Sequence, residues 1–270
     1  MEWRGFEMDW KDLFPKENRY FETEKGILYC GDCLEIMLNF PLEFFDMIYL
    51  DPPYNCGLKN FVIKEKSYKR VCEKWDSYSK EDYKNFIIAV LKNCKKIMAK
   101  GASILVSGMF QNIFDIFIWL RDEIQLDFRN FITWFKPNAM PIKFAKQIGV
   151  YAYSCEYICY FSKGRVKTFN YELAKKLNGG NQQRDLFIFK VCQDIKMGHP
   201  TQKPLNLIKY LIKIHSKEND LILDPFLGSG TTAVACEQLN RKWIGIEINP
   251  EYCEIAKKRI LKENKQMRLF

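Results

Sequence analysis

Two consecutive prolines end an apolar run in the amino-terminal part of the chain and restrict what can follow it. The run, residues 44–50, contains Phe, Met, Ile, Tyr and Leu around a single Asp46, which is typical of a strand buried in a parallel sheet. Asp51-Pro52-Pro53-Tyr54 comes next, and strand pairing stops there because proline has no N–H. Ligands of open α/β sheets bind at the carboxyl ends of strands. The motif therefore predicts a carboxylate and an aromatic ring held on a stiff turn at a ligand site.

A second strand that ends in an acidic residue lies near the carboxyl end of the chain. Residues 221–224 end in Asp224 and are followed by a turn with Gly228 and Gly230 and by a predicted helix at 231–239. Glycines in such a turn let the backbone approach a ligand and leave helix N–H groups facing it. The next strand, 243–247, ends in Glu247, which can bind a ribose diol. The spacing favours a nucleoside cofactor, whereas the missing third glycine of G-x-G-x-x-G disfavours a dinucleotide and the missing G-x-x-x-x-G-K-[ST] motif disfavours ATP.

Strands and helices alternate along most of the chain. Apolar patterns predict further strands at 26–32, 102–107, 128–135 and 156–161. Helical spacing predicts helices at 33–39, 80–100, 112–123 and 204–215. Ser79 is the predicted cap of the helix at 80–100, Gly101 ends it, and Asn249 caps a terminal helix. This alternation predicts an α/β fold with a mostly parallel sheet.

The composition excludes some classes of protein and leaves others open. The chain has 270 residues, 47% of them hydrophobic, and a formal net charge of +9, which is compatible with a polyanionic partner without requiring one. No apolar run approaches the length of a membrane span, and the amino terminus lacks the apolar core of a signal peptide. We therefore expect a cytoplasmic protein whose ten cysteines are reduced. Cys30 and Cys33 have a zinc-type spacing, but no second pair matches it and the chain has only two histidines, so we expect no metal site.

Three segments interrupt the alternation. Residues 1–25 show no period, and the sequence leaves open whether they form a docking arm or a disordered lead-in. Residues 55–79 mix basic and aromatic side chains directly after the Asp-Pro-Pro-Tyr turn, which favours a substrate-facing loop over a merely solvated one. Residues 162–198 include Gly179-Gly180-Asn181-Gln182-Gln183-Arg184, and they are equally compatible with an insertion that reads bases and with a polar insertion that has no partner.

Three motifs together resemble those of S-adenosylmethionine-dependent DNA amino-methyltransferases in the β-type order. They are Asp51-Pro52-Pro53-Tyr54, then His199-Pro200-Thr201-Gln202-Lys203-Pro204, then Asp224-Pro225-Phe226-Leu227-Gly228-Ser229-Gly230, within a likeness that runs from about Gly26 to the terminal helix. The resemblance implies a Rossmann-like sheet of seven strands, mostly parallel with one antiparallel strand, in a circularly permuted chain order. Strands ending at Asp224 and Glu247 would then lie beside those ending at Asp32 and Asp51. It divides the chain into an N-terminal arm (1–25), a catalytic part (26–161), a target-recognition insertion (162–198) and a cofactor-binding part (199–270).

The same resemblance implies S-adenosylmethionine as the cofactor and assigns residues to it. Glu247 would hold the ribose hydroxyls, and Asp32 with Cys33 would contact the adenine. Thr201 and Lys203 would lie near the methionine end. The residues assigned to the cofactor around the glycine turn are Asp224, Pro225, Phe226, Gly228, Ser229, Gly230 and Thr231.

Catalysis is assigned by the resemblance to Asp51, Pro52, Pro53 and Tyr54. An exocyclic amino nitrogen is a poor nucleophile because its lone pair is delocalised into the ring. Asp51 and the carbonyl of Pro52 would accept its two N–H groups and localise the lone pair, while Tyr54 stacks on a base flipped out of the duplex. The chain has no Pro-Cys dipeptide, which disfavours the thiolate-dependent reaction at cytosine C5. Aspartate at the first position of the motif favours adenine N6 over cytosine N4.

The sequence therefore predicts site-specific methylation of adenine N6 in double-stranded DNA, of the restriction-modification type. The alternatives are an N4-cytosine or RNA methyltransferase, a catalytically silent nucleic-acid-binding module, and a nicotinamide dehydrogenase. The recognition sequence is not readable, but we expect residues 55–79 and 162–198 to determine it. The sequence leaves open whether the chain forms the homodimer that β-type members often form, and whether a cognate restriction endonuclease exists.

Overall fold

The computed structural model describes residues 9–55, 78–139, 141, 149–191 and 202–267. These residues form a sheet of nine strands with helices on both faces. The strands are β1 (Arg19–Glu22), β2 (Gly26–Cys30), β3 (Phe45–Leu50), β4 (Met98–Gly108), β5 (Asp127–Phe135), β6 (Cys155–Ser162), β7 (Leu186–Ile188), β8 (Leu221–Asp224) and β9 (Lys242–Glu247). The α-helices in these ranges are α1 (Cys33–Met37), α2 (Lys80–Ile97), α3 (Ile113–Ile118), α4 (Tyr171–Leu177), α5 (Leu205–His215), α6 (Thr231–Gln238) and α7 (Pro250–Met267). A short 3-10 helix, Trp10–Leu13, precedes β1.

The strands follow the order β1-β2-β9-β8-β3-β4-β6-β5-β7 across the sheet. The two strands nearest the carboxyl end of the chain, β8 and β9, lie between β2 and β3 and run parallel to their neighbours. β6 runs antiparallel to both β4 and β5. The strands from β2 to β5 in this order are the predicted seven, mostly parallel with one antiparallel strand, and in the described ranges β1 and β7 extend the sheet at its two edges. The circular permutation of the chain order stays a prediction.

The sequence of β3 is a continuous apolar run because both faces of the strand are buried. Ile48 and Leu50 pack in the layer formed with α1, α2 and α3. Met47 and Tyr49 point to the other face, against α5, α6 and α7. A strand buried on both sides needs an apolar side chain at almost every position, so the polar alternation of a half-exposed strand is missing. This double burial fixes the carboxyl end of β3, from which Asp51 projects.

The predicted end of the helix at 80–100 is wrong. α2 ends at Ile97, and Met98 begins β4 directly, so Gly101 does not end the helix. Gly101 lies inside β4 with a φ of 78°, and its amide donates a hydrogen bond of 2.7 Å to the carbonyl of Lys163. The glycine therefore marks an irregularity of the strand, which has the same sequence signature as a helix end.

The helix predicted at 112–123 is present but changes its geometry on the way. α3 ends at Ile118 and a π-helical turn, Trp119–Glu123, continues it. Both predicted caps are confirmed: Ser79 accepts a hydrogen bond from the amide of Asp82 (3.1 Å), and Asn249 accepts one from the amide of Glu251 (2.9 Å).

The segment that precedes β2 packs against the sheet from residue 9 onward. The side chain of Phe14 is 3% exposed and contacts the rings of Phe40, Phe44 and Phe45. β1 then pairs antiparallel with β2. The predicted arm at 1–25 is thus, over its described part, an edge of the sheet rather than a separate arm or a disordered lead-in.

The predicted insertion at 162–198 is also joined to the sheet over its described part, residues 162–191. β7 pairs in parallel with β5, where Phe187 lies opposite Trp134. The side-chain amide of Asn170 donates hydrogen bonds to the carbonyls of Lys213 and Ser216. Residues 192–198 and most of the predicted loop at 55–79 lie outside the described residues. Within the described ranges, every helix is too short or too polar to cross a membrane.

Candidate active site

Four acidic side chains meet at one edge of the sheet. Asp224 and Glu247 are the last residues of β8 and β9, Asp51 directly follows β3, and Asp32 lies just after β2. These four strands are adjacent and parallel, so their carboxyl ends open on the same side. The prediction that these strand ends lie side by side, although they are far apart in sequence, is confirmed.

Asp224 is buried, and two donors from its own turn and the following helix hold its carboxylate. Oδ1 accepts a hydrogen bond from the amide of Phe226 (3.0 Å), and Oδ2 accepts one from the hydroxyl of Thr232 (2.6 Å). Burial raises the pKa of Asp224 to about 7, the two hydrogen bonds oppose this, and the charges of Asp51 and Glu247 add to it. The carboxyl group of Asp224 therefore titrates near neutral pH. Thr232 is a contributor that the sequence analysis missed.

Glu247 binds main-chain amides with both of its carboxylate oxygens. Oε2 accepts a hydrogen bond from the amide of Gly228, and Oε1 accepts one from the amide of Asn249, both at 2.8 Å. The side chain therefore ties the glycine turn to the start of α7. Its role toward a ribose stays a prediction.

The glycine turn is packed tightly against α7. Gly230 has a φ of 84°, and a Cβ at this position would lie 2.9 Å from the Cβ of Ala256. Arg259 of α7 donates from Nη1 to the carbonyl of Ser229 (2.6 Å), to its Oγ (2.8 Å) and to the Oγ1 of Thr231 (3.3 Å). Ser229 and Thr231, predicted to bind the cofactor, thus also hold the turn in place through Arg259, which the sequence analysis missed.

The other predicted residues of this turn differ in exposure. Pro225 is buried, and Gly228 is half-buried with a φ of 53°. Phe226 is half-buried, and its ring centroid lies 6.1 Å from that of Phe86 on α2. The cofactor roles of all three stay predictions.

Asp32 and Cys33 lie at the start of α1. Oδ1 of Asp32 caps the helix by accepting the amide of Leu34 (2.7 Å). Burial, together with the charge of Asp32, raises the pKa of Cys33 to about 12, so the side chain is a neutral thiol. The described residues contain no cluster of three side chains that could hold a metal ion. Contact of the two residues with an adenine stays a prediction.

One side chain from the same turn and one that is distant in sequence hold the carboxylate of Asp51, the predicted catalytic group. Its Oδ2 accepts from the Nζ of Lys203 (2.6 Å), and its Oδ1 accepts from the hydroxyl of Tyr54 (2.8 Å). Lys203 also donates to the Oη of Tyr54 (2.8 Å) and lies 5.1 Å from the centre of its ring. Burial raises the pKa of Asp51 and the ammonium of Lys203 opposes it. Lys203, predicted near the methionine end of the cofactor, therefore contacts the catalytic carboxylate, while Thr201 lies outside the described residues.

Glu156 and Lys136 complete this charged cluster and were missed in the sequence. Oε2 of Glu156 lies 3.1 Å from the Oη of Tyr54 and 3.5 Å from the Nζ of Lys203. Oε1 of Glu156 accepts from the Nζ of Lys136 (3.2 Å). Burial acts to raise the pKa of Glu156, but the ammonium groups of Lys203 and Lys136 outweigh it and the pKa is lowered. The sequence did contain a signal, because Glu156 is a charged residue at the start of the apolar strand predicted at 156–161. It was counted as part of that strand and given no functional role.

The backbone of the Asp-Pro-Pro-Tyr turn is anchored from α2 and α3. The carbonyl of Pro53 accepts a hydrogen bond from the hydroxyl of Tyr83 (2.8 Å), whose oxygen in turn accepts from the Nδ2 of Asn112 (3.0 Å). Pro52 is buried. The roles of Pro52 and Pro53 toward a substrate stay predictions, but Tyr83 and Asn112 show how the turn keeps its shape.

The donor set fits the implied cofactor. Asp32, Glu247 and Asp224 lie on three adjacent strand ends, and acidic groups there disfavour a phosphate. Carboxylates attract a positively charged sulfonium and accept hydrogen bonds from ribose hydroxyls. This edge is therefore suited to a cationic nucleoside such as S-adenosylmethionine rather than to a nucleotide.

Comparison with known proteins gives matches that include both halves of this site. The family model described as DNA methylase, which is the N6/N4 methyltransferase model, matches residues 45–258. The Type II methyltransferase M2.MboI of Moraxella bovis is 35% identical over 256 residues, which are 89% of this chain and 90% of that protein.

Solved structures share the fold. PvuII DNA methyltransferase (cytosine-N4-specific) superposes with a TM-score of 0.73 at 20% identity and covers 93% of this chain and 95% of that chain. The M1.HpyAVI–SAM complex superposes with a TM-score of 0.66 at 28% identity and covers 86% of this chain and 98% of that chain. Together with the family match, these findings show that the chain belongs to the family of S-adenosylmethionine-dependent DNA amino-methyltransferases.

Proposed function

We propose that this protein methylates N6 of a specific adenine in double-stranded DNA, as the methyltransferase of a type II restriction-modification system. The observation that carries the proposal is the position of Asp51, which follows β3 directly beside β8 and the glycine turn. Relatives named Type II methyltransferases support the biological setting. Aspartate at the first position of the Asp-Pro-Pro-Tyr motif supports adenine over cytosine.

Asp51 prepares the target nitrogen for attack. Its carboxylate accepts one N–H of the amino group and the carbonyl of Pro52 accepts the other, which localises the nitrogen lone pair. Bound S-adenosylmethionine would supply a methyl group on a positively charged sulfur, which keeps the electron pair of the broken C–S bond and leaves as a neutral thioether. The nitrogen gains positive charge when it is methylated, and Asp51 is the nearest acidic group of the turn to take the proton that it then loses. Preorganised charges of this kind contribute the largest share of many enzymatic rate accelerations.

The ring of Tyr54 stacks on the target base and does not bind its amino group. A base inside a duplex is out of reach, so it has to be flipped out, which costs roughly a few kcal/mol. Stacking on an aromatic ring offsets about 1–3 kcal/mol of that cost. The net charge of +9 supports binding to the phosphates on either side of the target.

Product analysis tests the proposal. The purified protein is incubated with S-adenosylmethionine and unmethylated plasmid DNA, and the DNA is digested to nucleosides for mass spectrometry. We expect N6-methyladenine, confined to one short sequence context when the plasmid is sequenced by a methylation-sensitive method. Finding N4-methylcytosine, or methyl groups only in an RNA substrate, would contradict it.

We also propose that residues 55–79 and 162–198 select the target sequence, which is supported by their length, charge and place in the chain. Exchange of 162–198 with the corresponding segment of a relative should change the methylated sequence. An unchanged sequence preference would remove that segment from recognition.

Two further partners belong to the same proposal. A second copy of the chain is the proposed oligomeric partner, supported by the exposed aromatic face of α3 and β5, where Phe114, Ile118 and Phe128 are each more than 40% exposed. Light scattering at micromolar concentration should give twice the monomer mass, and Phe114→Ser should lower the measured mass.

A cognate endonuclease would cleave unmethylated plasmid at the sequence that this protein protects, and full cleavage of methylated plasmid would exclude the pairing. We propose that DNA methylation and cleavage take place in the cytoplasm, because that is where the DNA substrate lies.

A further inference from the structure

The hydroxyl of Tyr54 lies between two carboxylates and has only one proton to donate. Its Oη is 2.8 Å from the Oδ1 of Asp51 and 3.1 Å from the Oε2 of Glu156. The same oxygen accepts a hydrogen bond from the Nζ of Lys203 at 2.8 Å, so the lysine does not compete for the proton. A phenol donates one hydrogen bond at a time. Tyr54 therefore donates either to Asp51 or to Glu156.

This choice matters because each oxygen of Asp51 already accepts one hydrogen bond, and an incoming amino group would have to share an oxygen with another donor. Oδ2 of Asp51 is engaged by the ammonium of Lys203, and Oδ1 is engaged when Tyr54 donates to it. If the hydroxyl proton turns toward Glu156, Oδ1 can accept the N–H of the amino group. The turn is a rotation about the phenol C–O bond, and no heavy atom has to move. No buried polar group loses a partner, so the exchange avoids the cost of an unsatisfied donor.

The charges of the cluster suit Glu156 to this role. Two carboxylates, on Asp51 and Glu156, face two ammonium groups, on Lys203 and Lys136. The side chain of Glu156 is only 14% exposed, and Lys136 holds its second oxygen at 3.2 Å. The lowered pKa of Glu156 keeps it ionised at neutral pH, and a charged acceptor makes the stronger hydrogen bond.

We propose that Glu156 is a positioning residue that accepts the hydrogen bond of the Tyr54 hydroxyl, whose proton stays on the phenol oxygen, when the target amino group engages Asp51. The inference rests on the proposed function, since the amino group is that of the flipped-out base. Lys203 keeps Oδ2 of Asp51 and the oxygen of Tyr54 fixed during the exchange. Glu156 does not touch the reacting atoms and acts through Tyr54.

A double-mutant cycle between Glu156 and Tyr54 tests the inference. The variants are Glu156→Leu, which removes the acceptor, Tyr54→Phe, which removes the proton but keeps the ring, and the two combined. We expect Glu156→Leu to lower the single-turnover methylation rate about tenfold, the factor that a hydrogen bond to a charged group is worth. The KM for DNA and the Kd for S-adenosylmethionine should stay within about twofold of the wild type. In the Tyr54→Phe background, loss of Glu156 should cost less than about twofold, because no hydroxyl proton then needs an acceptor.

Two controls separate this role from structural damage. Glu156→Gln keeps the size and an acceptor oxygen without the charge, so its rate should lie between those of the wild type and Glu156→Leu, and its own cycle with Tyr54→Phe replaces the first if the leucine variant does not fold. Glu43→Gln breaks an exposed ion pair with Lys163 of 3.0 Å and should leave the rate unchanged.

The same loss of rate in both Tyr54 backgrounds would overturn the inference, and so would a raised KM with an unchanged rate. These outcomes differ from a failure of the proposed function. That failure is the absence of N6-methyladenine with the wild-type protein, whereas additivity in a wild type that makes N6-methyladenine contradicts the role of Glu156 alone.

Discussion

The site has a proposed cofactor half around the glycine turn and a proposed catalytic half around Asp51. Different kinds of contacts hold the carboxylates in the two halves. Around the glycine turn, the carboxylates of Asp224 and Glu247 accept three hydrogen bonds from main-chain amides 2 to 19 residues away and only one from a side chain, the hydroxyl of Thr232. Around the catalytic turn, the carboxylate of Asp51 is bound by side chains, one of them Lys203, 152 residues further along the chain.

The contacts in the cofactor half are rigid, whereas those in the catalytic half can change partners. Main-chain amides within a packed turn keep their positions when a ligand binds, so the cofactor half is preorganised. Side-chain hydroxyl and ammonium groups can exchange partners, and in our proposal the Tyr54 hydroxyl does so when Asp51 accepts a substrate. Changes in the catalytic half should therefore affect the rate, and changes in the cofactor half should affect binding and stability.

Replacement of the catalytic carboxylate is the strongest test of this division. Asp51→Ala should lower the methylation rate by about 10²–10³-fold or more, the effect of removing a preorganised charge, and leave the Kd for S-adenosylmethionine within a few-fold. Isotope incorporation and calorimetry measure the two quantities. Asp122→Ala, at an exposed aspartate paired with Arg121, is the matched control and should change neither. Turnover that survives Asp51→Ala would remove Asp51 from its role.

Substitution in the glycine turn should have the opposite signature. Gly230→Ala places a Cβ 2.9 Å from that of Ala256 at a φ of 84°, so we expect a loss of about 2–3 kcal/mol in the free energy of unfolding and weakened cofactor binding. Gly180→Ala is the control, since Gly180 has a φ of 87° and a Cβ added there would meet no described atom within 4 Å beyond its chain neighbours. Denaturant titration should show the smaller loss for Gly180→Ala, which isolates the backbone strain from the clash. Equal losses in the two variants would show that the contact with α7 is unimportant.

The pKa of Asp224 makes cofactor binding sensitive to pH. Burial raises the pKa to about 7, so the carboxyl is mostly protonated below this pH and ionised above it. Only the ionised form attracts the positive charge of the cofactor, so affinity should rise by about tenfold between pH 6 and 8. Calorimetry measures this, with Asp224→Asn expected to remove the dependence and Thr232→Val, which deletes a lowering hydrogen bond, to move the midpoint upward. An identical slope in wild type and Asp224→Asn would assign it to another group.

The smallest expected effect lies outside both halves, at the end of α5. His215 is buried between Tyr160 and Phe169, and burial lowers its pKa to about 3. The unfolded chain binds a proton near pH 6.5 and the folded chain does not, so acidification below that pH destabilises the fold by about 1.4 kcal/mol at pH 5.5.

The contribution of His215 is tested by comparing how acidification changes the stability of the wild type and of a variant without this histidine. The raised pKa of Asp224 contributes in the opposite direction, since the folded form then gains the proton first and is stabilised as the pH falls. Denaturation at pH 7.5 and pH 5.5 should therefore be compared between wild type and His215→Leu. The variant should lose less stability on acidification, or gain some, and equal changes in both proteins would contradict the assignment to His215.

Local patterns predicted the parts of the site whose chemistry lies within a few residues. Asp51-Pro52-Pro53-Tyr54 and the turn at 224–230 were found because each motif contains its own strand end, turn residues and functional groups. The same local patterns misplaced the end of α2 at Gly101, because a glycine with positive φ looks alike at a helix end and in an irregular strand. The place of Lys203 near the methionine end of the cofactor stays a prediction, and its contact with Asp51 was not foreseen because a motif gives the presence of a residue but not the direction of its side chain.

The sequence by itself determined the kind of strands, the acidic residues at or just after the ends of β2, β3, β8 and β9, and the motifs that imply an amino-methyltransferase. Burial on both faces requires apolar strands, and a turn that binds a ligand requires glycine and proline, so both leave a mark in consecutive residues. The position of β8 and β9 between β2 and β3 was implied only by the resemblance of three motifs taken together. Only the tertiary structure decided that Glu156 and Lys203 meet at Tyr54. Contacts between side chains more than 100 residues apart depend on how the strands are ordered in the sheet, and no single stretch of sequence specifies that order.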